Sequence, residues 1–314
     1  MCGIAGIINL DQSNASDKIL KTMTDAISHR GPDGVGYWNS GPVALGHRRL
    51  AIIDVSEFAS QPMISKDGRY VLTYNGEIYN FLELKKELSI LGWSFSSRSD
   101  TEVLLKGLIQ WGTELIPRLN GMFAFAFFDK QLNELILARD RYGVKPLYYH
   151  HKDNLLLFGS EQKSILAHPD VNSVINKEAL IEYFTFQNIF TNQTLINDIK
   201  LFEPGHYMLL DLNKSNGNIK KIKYWDYLFQ ESDSKYSECE YIEELNYLFE
   251  QAVSRQCVGD VEIGTYLSGG MDSGSITAVA AKKFPGIKSF TCGFDLSSAS
   301  GIELTFDERS TAEM

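Results

Sequence analysis

The chain has 314 residues, which at about 150 residues per domain sets an expectation of two domains. Apolar residues make up 44% and charged residues 22%, the mix of a globular chain, which argues against a largely disordered one. The formal charge is −10 and no stretch gathers Lys and Arg into a basic face, so binding of nucleic acid through its phosphates is not expected.

No apolar run reaches the roughly 18 residues of a membrane span, and the N-terminus lacks the basic start and apolar core of a secretory signal. A cytoplasmic chain without a membrane partner is the expectation. The four cysteines, Cys2, Cys239, Cys257 and Cys292, have neither CxxC pairing nor nearby metal-spaced histidines, which speaks against a disulfide scaffold or a zinc site.

In chain order, apolar runs at Ile4 to Ile8, Tyr70 to Tyr74, Met122 to Phe128, Leu135 to Ala138, Leu147 to Tyr149 and Leu155 to Phe158 predict buried strands. Helical periodicity predicts helices from Asp17 to Ile27, Phe81 to Leu91 and Thr101 to Trp111, the last with Ser99 or Asp100 as N-cap. Many strands with helices inserted between them, not alternating with them, imply stacked sheets covered by helices, an α+β layer architecture. From Asn188 to Ser237 the chain turns polar, and Asn213 to Asn218 predicts an exposed turn or connector near a domain boundary. Beyond it the pattern predicts a helix from Cys239 to Cys257, a strand from Ile263 to Leu267, a glycine turn, a helix from Asp272 to Lys283 and a strand from Ile287 to Gly293. That order opens a parallel α/β domain. The sequence stops at Met314 inside what reads as a further helix, so the second domain is expected to be incomplete.

Cys2 directly follows the initiator methionine. Removal of Met1 would give it a free α-amine with an ordinary pKa of about 7.7 to 8.0, a base able to take the thiol proton directly or through a water. Taken alone, a small buried cysteine in an N-terminal strand is the commoner meaning of such a residue.

Further motifs follow in order. They are Met1-Cys2-Gly3-Ile4-Ala5-Gly6-Ile7, His29-Arg30-Gly31-Pro32-Asp33-Gly34, Gly46-His47-Arg48-Arg49-Leu50-Ala51-Ile52-Ile53-Asp54, Tyr74-Asn75-Gly76-Glu77-Ile78-Tyr79-Asn80 and Ser99-Asp100-Thr101-Glu102. Ala138 to Tyr148 and Ser268-Gly269-Gly270-Met271-Asp272-Ser273 complete the set. Through nearly its whole length the chain resembles the glutamine-hydrolysing asparagine synthetases. The resemblance implies a four-layer αββα N-terminal-nucleophile hydrolase domain, glutamine amidotransferase type 2, over residues 2–215. After it would come the truncated start of a parallel α/β ATP-pyrophosphatase domain over residues 236–314.

Roles attach to the matching residues. Attack of Cys2 on a glutamine side-chain amide creates an oxyanion, for which the Asn75 side chain and the Gly76 N–H are suitable donors. Arg49 can fork onto the α-carboxylate and Asp100 can pair the α-ammonium. The resemblance adds the backbone of Leu50, Ala51, Ile52 and Ile53, and Glu77, to that pocket. An Asn-Gly hairpin turn is the plain alternative for Asn75-Gly76. Met122 to Phe128 reads as core, and Arg139, Asp140, Arg141 and Lys145 as a buried ion network. His29, His47 and His206 carry no assignment.

The Ser268 to Ser273 turn lacks the GxxxxGK[ST] pattern, yet it lies between a strand and a helix N-terminus, where backbone N–H groups and the helix dipole favour an anion. It resembles the pyrophosphate loop of ATP pyrophosphatases, with Asp272 helping to hold Mg2+. Leu267, Ser268, Gly269, Gly270, Asp272, Ser273 and Cys292 would border ATP. The final serine of the family's SGGxDSS loop is Gly274 here. The implied reaction joins glutamine hydrolysis to ATP-dependent activation of aspartate as β-aspartyl-AMP and its amidation to asparagine. This chain alone is expected to support only the glutaminase step. A second chain supplying the rest of the synthetase domain, and a homodimer, are left open as partners. The competing readings are a family amidotransferase acting on another carboxylate and a non-catalytic glutamine-binding remnant.

Overall fold

The computed structural model describes residues 1–214, 218–229, 236–293 and 307–313. The chain forms two compact units, Met1–Leu228 and Phe229–Met314. In the first unit the chain runs β1 (Gly3–Asn9), α1 (Asp17–Asp25), β2 (Gly34–Ser40), β3 (Val43–Arg49), β4 (Met63–Ile64), β5 (Tyr70–Ile78), α2 (Phe81–Ile90) and α3 (Asp100–Trp111). It continues through β6 (Gly121–Asp129), β7 (Glu134–Arg139), β8 (Tyr148–Lys152), β9 (Leu155–Gly159), α4 (Gln162–Leu166), α5 (Lys177–Phe186), β10 (Ile199–Leu201), β11 (His206–Asp211) and β12 (Ile219–Lys223).

The strands form two six-stranded sheets, ordered β10-β8-β9-β1-β3-β2 and β12-β11-β7-β6-β5-β4. Every pairing in both is antiparallel. The period of two sorts the side chains between layers. Ile4 and Ile8 of β1, Val43 and Leu45 of β3, Val71 of β5 and Ala124, Ala126 and Phe128 of β6 share one buried cluster between the sheets. The alternate residues Ala5 and Ile7 pack instead with Leu20 and Met23 of α1 on the outer face of the first sheet. On the other side, α3 packs on β5 and buries Val103, Leu104, Leu105 and Leu108. The result is a helix–sheet–sheet–helix stack, as the α+β expectation requires.

The structure adds strands that the sequence did not signal and removes one rival reading. The polar stretch after Asn188 is no simple connector, because it contains β10, β11 and β12. Lys220 and Lys221 of β12 lie exposed on a sheet-edge strand, where lysine discourages further pairing, and this hides the strand pattern. Residues 215–217 of the expected turn, and Met314, lie outside the described residues. Asn75 and Gly76 form no hairpin turn; both lie inside β5, opposite Ala124 and Phe123 of β6. The strands β2 and β3 were also not signalled by apolar runs.

The second unit holds α6 (Glu238–Gln256), β13 (Gly264–Tyr266), α7 (Met271–Lys283), β14 (Lys288–Phe290) and α8 (Arg309–Ala312). A reciprocal Ser237–Glu240 capping box starts α6. Its two strands pair in parallel, Gly264 opposite Lys288. Among the described residues of this unit, Val253 and Ala280 are the buried apolar side chains, while Tyr266, Met271 and Phe290 are exposed.

Candidate active site

The sheet period that builds the core also builds the site. Ile4 on β1, Val43 and Leu45 on β3 and Val71 on β5 face the space between the sheets, so His47, Arg49 and Asn75, two or four residues farther along their strands, fall on the same faces. Gly3 pairs with Arg48, which brings the start of β1 beside the end of β3. Cys2, Arg49, Asn75, Gly76 and Asp100 all line one cavity at this end of the stack. Leu50, Ile52, Ile53 and Glu77 line it too, as do Gln61, Tyr74 and Thr101, which sequence reasoning had not singled out. Ala51 is absent from that lining; its N–H donates to Asp33 Oδ2 at 2.9 Å.

Cys2 is held on both sides. The Leu50 N–H donates to its Sγ at 3.3 Å, the thiol lies 3.5 Å from Leu50 O, and Arg30 Nε donates to Cys2 O at 2.9 Å. Arg30 is in turn tied to Glu161 at 3.0 Å. Burial pushes the Cys2 thiol up, against the lowering effect of the Leu50 N–H and the amino terminus. Burial, with Arg30 and Lys145 nearby, holds the Met1 amino group below its ordinary value.

Two donors converge on the cavity from β5. Asn75 is 1% exposed, and its Nδ2 is buried without a hydrogen-bond partner. Such an orphan costs about 1–3 kcal/mol and needs a reason; Arg30 Nη2 and His47 Nδ1 nearby are buried without partners too. The direction of the Gly76 N–H follows from its neighbours. Tyr74 N–H donates to Gln61 Oε1 at 2.6 Å and Ile78 N–H to Asp100 Oδ2 at 3.0 Å, so both point away from β6. By strand alternation the Gly76 N–H between them points the same way. Glycine is needed at 76 because a Cβ would lie 2.3 Å from Met122 O and 2.8 Å from Phe123 Cα.

Opposite charges line the same cavity. Ser99 is the N-cap of α3, its Oγ accepting the Glu102 N–H, so Asp100 falls in the first turn with its carboxylate turned elsewhere. Asp100 Oδ2 accepts the Tyr74 hydroxyl at 2.8 Å as well as the Ile78 N–H. Burial raises its carboxyl to about 6 despite those two bonds. Arg49 is anchored by donating to Asp54 O and, at 2.8 Å, to Ser56 O, which leaves further guanidinium N–H groups for a ligand.

His47 is fully buried and donates from Nε2 to Tyr74 O at 3.1 Å, bridging the sheets beside the two donors. Burial lowers its pKa to about 3, so it is a neutral clamp. His29 pairs with Glu161 at 2.8 Å, and His206 meets Pro204 O at 2.7 Å. Of the expected ion network, Arg139, Asp140 and Arg141 are instead bonded to backbone, and the Lys145 ammonium lies against Met1 Sδ at 3.7 Å. Arg139 donates to Lys145 O and Gly143 O, Arg141 to Leu119 O and Pro117 O, and Asp140 accepts N–H groups from Phe123, Tyr142, Val144 and Lys145. Backbone dipoles satisfy Arg139, Asp140 and Arg141 without opposite side-chain partners.

In the second unit, Ser268, Gly269 and Gly270 link β13 to α7, and Asp272 and Ser273 lie in the first turn of that helix. Ser268 Oγ lies 2.8 Å from Ser273 Oγ and accepts the Gly270 N–H at 3.2 Å, while the Gly269 N–H donates to Glu308 at 3.4 Å. Leu267 N–H donates to Phe290 O, and its own carbonyl accepts from Thr291, next to the exposed Cys292. Among the described residues no three His, Cys, Asp or Glu cluster as a metal site, and no helix is long and apolar enough to cross a membrane.

A two-sheet α+β fold thus brings a cysteine beside the amino terminus together with opposite charges and an orphan amide donor. Residues 1–225 match the glutamine amidotransferase domain, and residues 244–314 match asparagine synthase. The chain belongs to the glutamine amidotransferase domain family. It is 41% identical over 288 residues to asparagine synthetase (glutamine-hydrolyzing) 3 of Bacillus subtilis, covering 90% of this chain and 46% of that one. To asparagine synthetase (glutamine-hydrolyzing) 1 of the same organism it is 37% identical over 308 residues, covering 97% and 48%. The chain thus spans about half the length of these curated relatives. Among solved structures, the glutamine phosphoribosylpyrophosphate amidotransferase of B. subtilis shares the fold at a TM-score of 0.53 and 18% identity, covering 97% of this chain and 70% of that one.

Proposed function

We propose that the first unit hydrolyses glutamine to glutamate and ammonia, with Cys2 as nucleophile. The observation that carries this reading is the buried Asn75 Nδ2, which has no partner and shares a cavity with Cys2. An amide donor held without an acceptor is poised for charge that exists only during reaction. With Met1 removed, the α-amine of Cys2 takes the thiol proton and Sγ attacks the side-chain amide carbon. Asn75 Nδ2 and the Gly76 N–H stabilise the oxyanion; the tetrahedral adduct collapses with loss of ammonia, and water releases glutamate from the thioester. Arg49 holds the substrate α-carboxylate and Asp100 its α-ammonium, with Glu77 and the backbone of Leu50, Ala51, Ile52 and Ile53 completing the pocket. Asn75→Ala should lower kcat by about 10²–10³, with a much smaller change in KM, measured by ammonia release. Equal loss in 1/KM with kcat unchanged would assign Asn75 to binding instead.

In the whole protein this ammonia would be used for ATP-dependent synthesis of asparagine from aspartate, in the cytoplasm. This extends to the present chain the activity for which the relatives are named. We assign the glutaminase function to residues 2–215 and the incomplete ATP-binding part to residues 236–314. Leu267, Ser268, Gly269, Gly270, Asp272, Ser273 and Cys292 would border ATP. The fit rests on the first turn of α7, whose N–H groups lie at a helix N-terminus, and on the Asp272 carboxylate, suited to a Mg2+ ion held chiefly by phosphate oxygens; the Gly269 N–H would first have to leave Glu308 and the Gly270 N–H Ser268. ATP supplies the activation of the aspartate carboxyl group; Ser268 and Ser273, already bonded to each other, keep the loop in register. Further synthetase residues, in this polypeptide or a second chain, and a homodimer are the partners this reading allows.

A further inference from the structure

Lys145 lines the cavity with Cys2 and is 7% exposed, on the loop between β7 and β8. That loop is rigidly held. The Lys145 N–H donates to Asp140 Oδ2 at 3.0 Å, and its carbonyl accepts Arg139 Nε at 2.8 Å. The surroundings thus fix where the ammonium can reach. Its polar contact is with Met1 Sδ, at 3.7 Å. A thioether is a weak acceptor, and this one leaves with Met1. Removal of Met1 takes that partner away and leaves the ammonium facing the cavity that Cys2 lines.

Several charged groups surround Cys2, and most are already committed. Arg30 is tied to Glu161 and to the Cys2 carbonyl, with its Nη2 buried and unpartnered, and Arg49, anchored to two loop carbonyls, keeps its remaining N–H groups for the substrate carboxylate. Asp100 and Glu77, on α3 and β5, oppose a negative sulfur, and the Tyr74 hydroxyl is turned to Asp100. The amino terminus and Lys145 are the cations that act favourably on the thiol.

We propose that Lys145 is a positioning cation for the nucleophile: once Met1 is gone, its ammonium stands against Cys2 and holds the thiolate as it forms. The role rests on the glutaminase reading and deepens it, since the charge serves the nucleophile of that reaction. The test is the rate of Cys2 alkylation by iodoacetamide against pH, on protein shown by intact mass to lack Met1, with C2A as the background control. In K145M the midpoint should rise by about one pH unit, with about a tenfold slower rate at pH 7. K145R, which keeps the charge, should hold the midpoint near that of wild type. A K145M midpoint within about 0.3 units of wild type would overturn the proposal, as would an equal shift in both variants, which would show packing and not charge at work. If K145M does not fold, K145Q provides the same comparison. Alkylation needs no glutamine. A Lys145-dependent midpoint in a chain that releases no ammonia would retire the glutaminase reading alone, whereas normal release with an unshifted midpoint would retire the Lys145 role alone.

Discussion

The two units spend their apolar residues differently. In the first, alternate faces of two six-stranded sheets fill a continuous core, and the site sits at the end of that core on strands that cannot shift. In the second, a parallel strand pair leaves Tyr266 and Phe290 exposed and the described residues bury little beyond Val253 and Ala280. Parallel strands ordinarily need cover on both faces. Preorganised chemistry therefore belongs to the first unit, where Asn75 can be kept buried and unpartnered because β5 and β6 hold it there. The loop of the second unit bonds to itself through Ser268 and Ser273.

The largest effect that would sharpen this contrast is at the amino terminus. Protein shown by intact mass to retain Met1 should have no measurable glutaminase activity, because its base is displaced from Cys2; full turnover would break the proposed mechanism. Next comes Asp100→Asn. Both hydrogen bonds fall on Oδ2, which an amide oxygen can replace, so the fold should tolerate the change while the glutamine KM rises by about 10–100-fold through loss of a charge-assisted pair.

The same substitution should stabilise the unit at neutral pH. The Asp100 carboxyl titrates at about 6 in the folded chain against an ordinary 3.8, so the folded state holds the proton more tightly. Its contribution to stability is full below about 3.8 and is lost as pH rises through about 6, a cost of up to roughly 3 kcal/mol at pH 7. Thermal unfolding of wild type and D100N at pH 7 measures this, and a lower Tm for D100N would contradict it. Glutamine binding by wild type should correspondingly weaken as pH falls through about 6, where the pairing carboxylate is protonated. The smallest effect is expected at Asp272→Asn, which should change glutamine hydrolysis less than about twofold if the first unit carries the site alone; a tenfold loss would tie the units together.

Much of this organisation was legible in the sequence, for identifiable reasons. The strands β1, β5, β6, β7 and β9 are apolar runs because they face packed layers on both sides, and Ser99 announces α3 as a cap. By contrast, β3 ends in His47, Arg48 and Arg49, so the residues that build the site erase the apolar pattern of the strand that carries them. The edge strand β12 is obscured by its lysines. Gln61 reaches the cavity from a loop with no periodic signal, and Tyr74, next to Asn75, is assigned by a period of two to the opposite face of β5. Lys145 was visible within its motif, but only the fold shows that Arg139 and Asp140 bind backbone and so leave its ammonium to the cavity.

The central claim is that the first unit holds a cysteine nucleophile ready for glutamine. It is tested most directly by measuring glutamate and ammonia release from glutamine by the chain freed of Met1 and by C2A, with intact mass confirming that loss. The account predicts equimolar release by the wild-type chain and none by C2A, with glutamine still bound. Release that persists in C2A, or none from a folded and processed wild-type chain, would contradict it.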